Sequence, residues 1–387
     1  KEDIMHKTTF LPLLLILSIG CGSGDDDNGS IEADAGDTTT FDAGTDNNPD
    51  AMPAAESFAY VMGSDSTTSG ILTEIAMNEL TVSQGIIDGV VASDAVVRRF
   101  GNRLYIINRF GFDNITIVDI DTDQLVAQIS TGTGTNPQDV AVIGDALYVC
   151  AYDSNSILVL DQTDEQAKPT RIDISSYDKD GVPNCNSIVA VDGILYATLG
   201  IIDQSFSSNG GKVVVIDSAD NTITSDFDLT YNNPFGLLEA TDPDGPFGGD
   251  LLVPTTEDFG PVNGCIERIR VGATPSSGGC LIENATLGGF SGKVQLRGDE
   301  VIVAVSTSFT EGKVVKVGAD GALIGESITP ATQHVTDIAV CPSGDVLTND
   351  GENGTIRVFG PDDAERTSGT GLDIGLPASY ANALVCF

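Results

Sequence analysis

The chain has 387 residues, 41% of them hydrophobic, with 44 glycines, no tryptophan, and 57 acidic against 18 basic residues for a formal charge of -39. That length accommodates one large all-β domain or two ordinary ones, with enough apolar content to bury a core. A field of this sign repels phosphate backbones and anionic headgroups, which excludes a nucleic-acid partner and polybasic membrane attachment.

From Met5, the expected start of translation, the chain reads M-HK-TTFLPLLLILSIG-C. A basic segment (His6, Lys7) leads into an apolar run ending at Gly20-Cys21, the pattern of a secretory signal peptide and too short to span a bilayer. Gly20 directly before Cys21 resembles a bacterial lipoprotein signal. That resemblance implies lipidation of Cys21 and an outer-membrane lipoprotein facing the periplasm or the surface, with the membrane reached through the anchor only. An ordinary signal peptide cut nearby is the alternative. Residues 22–56 are acidic, lack basic residues and hold few apolar side chains, so they are expected to form a disordered tether. Their Asp-Ala-Gly tracts resemble the stalks of lipoproteins from myxobacteria-like lineages, and Asp25, Asp26 and Asp27 resemble acidic surface-export signals.

The remainder, residues 57–387, is organised around a unit best seen from Asn102 to Asp161: N-RLYIINR-FGFDN-ITIVDID-TDQ-LVAQIST-GTGTNPQD-VAVIGD-ALYVCAY-DSNS-ILVLD. Short runs rich in Val, Ile, Leu and Tyr alternate with Gly, Asn, Asp and Ser, which is the mark of strands separated by turns. Four strands per unit of forty-odd residues predict a β-propeller. The VAV-type strand recurs at Val96, Val140, Ile188, Leu237, Val294, Ile338 and Leu384. Three strands precede its first copy and none follows its last. Seven four-stranded blades are therefore expected, with the segment near Leu384 closing the first blade and removing a free edge. The pattern P-x-x-VAV-x-G-D-x-LYV from Pro137 to Asp161, with partial copies at 184–217 and 337–359, resembles the YVTN (YncE-like) family of bacterial surface propellers. The resemblance covers roughly residues 57–387 and implies that fold.

Six cysteines follow Cys21, and an even number in an exported chain implies disulfides. The blade map pairs Cys265 with Cys280 across a hairpin, Cys150 with Cys185 on one rim, and Cys341 with Cys386 on the last and closing blades. A metal cluster is disfavoured, because no CxxC pair occurs and His334 is the sole histidine after Cys21.

Propeller ligands are expected at the mouth of the central channel. Two sets of loops build it: those between the second and third strands, and those leading into each innermost strand. The first set offers Arg109, Phe110, Tyr152, Glu257, Phe259 and Phe309, with Phe112, Asp153, Phe206 and Asp258 beside them. The second offers Asn184, Asn186, Tyr231, Asn233, His334 and Tyr380, with Asn136, Asn232, Phe235, Phe290, Gln333 and Asn382. Aromatic platforms interleaved with amides suit a flat polar molecule such as a sugar or a corrinoid, although Asn and Asp also serve simply as turn formers. Corrinoid-binding surface propeller lipoproteins provide a resemblance of architecture. No cofactor is expected. The 242–250 segment, with Asp242, Asp244 and Asp250, fits either a calcium loop or plain turn chemistry.

The expected function is thus a monomeric, lipid-anchored module that binds a small molecule or a protein partner at the channel mouth. The alternative is a lactonase- or lyase-like enzyme pairing His334 with Glu257 or Arg109. No G-x-S-x-G, H-E-x-x-H or P-loop motif is present.

Overall fold

The computed structural model describes residues 57–387 except 204, 206, 258–261, 309, 331–333, 352, 379 and 380. The expected signal peptide, Cys21 and the acidic tether lie outside the described residues, as do Phe206, Asp258, Phe259, Phe309, Gln333 and Tyr380.

Seven antiparallel sheets form the blades of a β-propeller. Blade 1 holds Phe58–Ser64, Gly70–Ala76 and Thr81–Ser83, and takes its innermost strand, Leu384–Cys386, from the far end of the domain. Blade 2 runs through Ala95–Phe100, Arg103–Asn108, Asn114–Asp119 and Gln124–Ser130, and blade 3 through Pro137–Ile143, Ala146–Ala151, Ser156–Asp161 and Thr170–Asp173. Blade 4 comprises Cys185–Val191, Ile194–Leu199, Lys212–Asp217 and Thr222–Asp228; blade 5, Glu239–Ala240, Leu251–Pro254, Cys265–Arg270 and Ser276–Glu283. Blade 6 has Phe290–Arg297, Glu300–Ser306 and Gly312–Val317, and blade 7 has Ile338–Val340, Val346–Asp350, Thr355–Phe359 and Leu372–Asp373.

The continuous apolar runs follow from burial on both faces. In Arg103–Asn108, Leu104 and Ile106 face blade 1 while Tyr105 and Ile107 face blade 3. Alternate side chains leave a strand on opposite faces, so a strand sandwiched between two sheets must be apolar at every position. The buried residues accordingly divide into apolar clusters at the successive blade-to-blade interfaces, with no single core.

Three disulfides join Cys150–Cys185, Cys265–Cys280 and Cys341–Cys386, with Cα–Cα distances of 5.1, 5.8 and 4.8 Å. Cys280 lies well inside the strand Ser276–Glu283, opposite Glu267 across the hairpin. In blade 6 the run ALIGESI contributes only a single bridge, Val317 to Leu323, in place of a regular fourth strand. Backbone and hydroxyl groups share the edge there: the Ile324 and Ile328 N–H groups donate to the Lys316 and Val314 carbonyls at 2.9 and 2.8 Å, Thr329 Oγ1 accepts the Val314 N–H at 2.9 Å, and Ser327 Oγ donates to the Val314 carbonyl at 2.8 Å.

Candidate functional site

At one end of the central channel all seven blades contribute to a cavity of ≈ 250 Å³. A repeated backbone device aims side chains into it. Where the innermost strands of blades 3, 4 and 6 begin, the pairing skips one residue: Gln138 between Pro137 and Asp139, Asn186 between Cys185 and Ser187, and Gly292 between Ser291 and Lys293. Such bulges re-aim the extra residue, and all three residues line the cavity. Thr336 and Asn382 hold the corresponding places in blades 7 and 1, one residue ahead of Asp337 and Ala383.

The polar wall is held by its own hydrogen bonds. Arg109 donates through Nε and Nη2 to Asp94 Oδ1 at 3.1 and 2.5 Å, and through Nη1 to Gln138 Oε1 at 3.0 Å. Gln138 in turn donates to Asn136 Oδ1 at 2.8 Å. Asn186 Nδ2 donates to the carbonyls of Pro234 and Phe235 at 3.0 and 2.8 Å, and so fixes the loop that brings Phe235 and Leu237 to the cavity. Thr336 Oγ1 accepts from Asn349 Nδ2 at 2.6 Å. The His334 ring rests against Gly351, where a Cβ would stand 2.5 Å from Nδ1. Gly292 leaves the space beside Thr336 open, since a Cβ there would meet nothing closer than the Thr336 carbonyl oxygen at 3.8 Å. Phe235, Leu237 and Phe290 form the apolar wall. Asn382 stands in the left-handed region (φ 57°), and its Oδ1 is buried without a partner.

Charges deeper in the channel bind the innermost strands together. Asp139, fully buried, accepts from Arg98 Nε and Nη2 of blade 2 at 2.6 and 2.7 Å, and from Ser187 Oγ and the Ile188 N–H of blade 4 at 2.6 and 2.9 Å. Asp337 repeats the role: Lys293 of blade 6 lies 2.8 Å away, and the Ala383 and Leu384 N–H groups of blade 1 donate at 2.6 and 2.9 Å. Burial opposes the charge on Arg98, but Asp139 beside it holds the guanidinium above its ordinary range. Glu239 of blade 5 accepts one N–H, from Leu296 at 3.4 Å. Burial pushes its carboxyl up from 4.5 to about 7, against the pull of Arg98 and Lys293.

Of the residues singled out from sequence, Arg109, Asn186, Phe235, Phe290, His334 and Asn382 line this cavity. The other described ones lie elsewhere. Phe110 is 73% exposed and stands outside the cavity. Tyr152 and Asn184 line a separate hollow together with Asp153 and Asp203, and burial, then Asp153, pushes the Tyr152 phenol up to about 12. Asn184 and Asn233 are buried turn residues with φ of 57° and 46°; Asn184 Oδ1 accepts the Ile202 N–H at 2.8 Å. The Tyr231 phenol hydrogen-bonds to Glu283, which raises it. Glu257 is absent from the described cavity wall. In the 242–250 segment Asp250 Oδ2 takes Arg268 at 2.7 Å and Asp242 Oδ1 takes the Asp244 N–H at 2.8 Å, so two of the three carboxylates serve the local turn.

No protein-family profile matches the chain, and no curated protein matches it. Solved structures do. A putative 6-phosphogluconolactonase from Bacteroides fragilis superposes with a TM-score of 0.58 at 16% identity, over 86% of this chain and 98% of that one. AztD from Citrobacter koseri gives 0.51 at 12% identity, over 86% and 98%. A catalytically inactive virginiamycin B lyase from Staphylococcus aureus with quinupristin gives 0.54 at 10% identity, over 76% and 89%. Likeness at these identities shows a shared propeller fold.

Proposed function

We propose that this chain is a binding module that captures a small molecule at the channel mouth. The supporting observation is the convergence of all seven blades on one cavity whose Arg109 and Asn186 are already held in place and whose other side is apolar. Groups fixed before binding reduce the ordering cost of association, and a concave apolar site with a few placed polar groups is the usual form of a small-molecule site. The test is a thermal-shift screen of sugars, corrinoids and lactones on the full chain. A ligand at a hundred times its Kd stabilises the fold by about 2.7 kcal/mol. A shift that is lost in Gly292→Leu, which fills the cavity, supports the reading; absence of any Gly292-sensitive shift counts against it and turns attention to protein partners.

His334 and Arg109 sharing one cavity favours a second reading, a lactonase- or lyase-like enzyme. It draws further support from two of the similar solved structures, a putative 6-phosphogluconolactonase and a virginiamycin B lyase. Turnover of lactones or of quinupristin by the wild type, lost in His334→Ala with the fold intact, would establish it.

We further propose that the protein is exported as a monomeric lipoprotein anchored through Cys21, within the YVTN-like propellers. Three disulfides support passage through an oxidising compartment. Fatty-acid labelling and detergent-phase partition of the wild type, both lost in Cys21→Ser, are the expected results.

A further inference from the structure

The mouth differs sharply in charge from the molecule around it. The chain carries 57 acidic residues, yet none lines the cavity among the described residues, while Arg109 and His334 both do. We propose, resting on the reading of the mouth as a small-molecule site, that its ligand class is a small cyclic or aromatic carboxylate that also bears a hydroxyl. The carboxylate lies toward Arg109, the ring lies on Phe235 and Phe290, and the hydroxyl donates to Asn382.

Each part answers to a group on the wall. Arg109 has five N–H donors, of which the contacts to Asp94 and Gln138 occupy three. Those contacts hold the fork still and leave donors for a second acceptor, and an arginine–carboxylate hydrogen bond is among the stronger ones available. Asp94 offsets part of the guanidinium charge, but its side chain is 42% exposed and water screens it. The channel below adds little negative field. Arg98 and Lys293 balance Asp139 and Asp337, and burial drives Glu239 toward its neutral form. Asn382 Oδ1, buried and unpartnered, is an acceptor that requires a donor from whatever fills the site. The volume, ≈ 250 Å³, lies below the usual range for drug-sized ligands and fits a single substituted ring.

The experiment is ligand-observed NMR and calorimetry on the full chain. The probes are benzoate, para-hydroxybenzoate, cyclohexanecarboxylate and quinate, each beside its own carboxamide. A charge-assisted hydrogen bond contributes enough for a preference of roughly tenfold or more. The expected result is that acids bind that much tighter than their amides, hydroxylated acids tightest. Arg109→Gln should erase the preference, and Gly292→Leu should abolish binding of both. Acid and amide binding equally, with both lost in Gly292→Leu, overturns the anion class while leaving the mouth as a binding site. A preference that survives Arg109→Gln overturns the assignment as well. Binding of no probe in a Gly292-sensitive way overturns this inference and the reading beneath it together. Because Arg109→Gln also leaves Asp94 unpaired, Arg109→Lys serves as a folding control, and the acid-to-amide comparison on the wild type needs no variant.

Discussion

Asp139 and Asp337 tie neighbouring blades together through buried polar contacts. Each is fully buried, accepts its own following N–H at 2.9 Å, takes a cation from the preceding blade, and receives backbone N–H groups from the next. One carboxylate thus ties three blades. Removing one partner of a buried ion pair leaves the other charge stranded, at a cost of about 3–5 kcal/mol. Asp139→Ala is therefore expected to lower the urea midpoint strongly, and Arg98→Met placed on top of it to recover part of the loss, because the stranded guanidinium is gone. Glu239 gives the opposite sign. Its folded value, about 7, lies above the ordinary 4.5, so between those values the folded chain holds more protons than the unfolded one. Stability must then fall as pH rises through that window, by something of the order of 3 kcal/mol. Glu239→Gln should match the wild type near the lower value and exceed it at about pH 8, as read from melts across pH. The paired aspartates were legible in principle. Gln138-Asp139-Val140-Ala141-Val142 and Thr336-Asp337-Ile338-Ala339-Val340 place Asp directly before the same apolar strand. Asp is such a common turn residue that nothing local marks these two as buried.

At the level of strands, the sequence located the blades but not their register. The apolar recurrence aligns Val96 and Leu237 with Val140. In the structure Arg98 pairs with Tyr105 as Ala141 pairs with Tyr148, which moves Val97 into that place. In blade 5 it is the Leu238 N–H that reaches Ser187. A shift of one residue turns every side chain to the other face, and inside a strand apolar on both faces no pattern signals it. The bulges escaped for a related reason: Gln138, Asn186 and Gly292 sit beside polar residues where each strand begins, and no local pattern there separates an extra strand residue from the end of the entry loop. They nevertheless decide the site, because they set Gln138, Asn186 and Gly292 into the mouth. The mouth was legible as a place, through the loops carrying Arg109, Asn186 and His334. Tyr152, Asn184 and Tyr231 sit on equivalent loops but point to neighbours of their own. Gly292 has no close neighbour and no positive φ. Gly292→Leu should consequently change stability by no more than about 0.5 kcal/mol, the range of substitutions that disturb no packing, while closing the cavity to ligands. Denaturant melts run beside the binding assay check both halves.

For the molecule as a whole, closure is the decisive event. Leu384–Cys386 pairs with the first strand, Phe58 and Phe387 exchange backbone hydrogen bonds at 2.9 and 3.0 Å, and Phe387 stacks on Tyr60 beneath Arg99. Cys341–Cys386 then clamps the seam between blades 7 and 1 across a sequence separation of 45. A bridge over a loop of that size contributes typically 2–4 kcal/mol. The variant with both cysteines changed to Ser should lose about that much and become insensitive to reductant at this seam, as denaturant melts with and without reductant would show.

This seam also fixes an order of events during biosynthesis. The first strand of the ring is made first and its partner last, so blade 1 keeps an open inner edge until the whole domain has emerged. Through that interval the growing chain is an arc with two complementary ends. A second arc nearby presents the same two ends. The final strand of one chain is then as good a partner for its neighbour's first strand as for its own, which is the condition for domain swapping. Rapid refolding from a concentrated denatured state should therefore yield strand-exchanged dimers, and slow dilution should yield single rings, a difference that size-exclusion chromatography resolves directly.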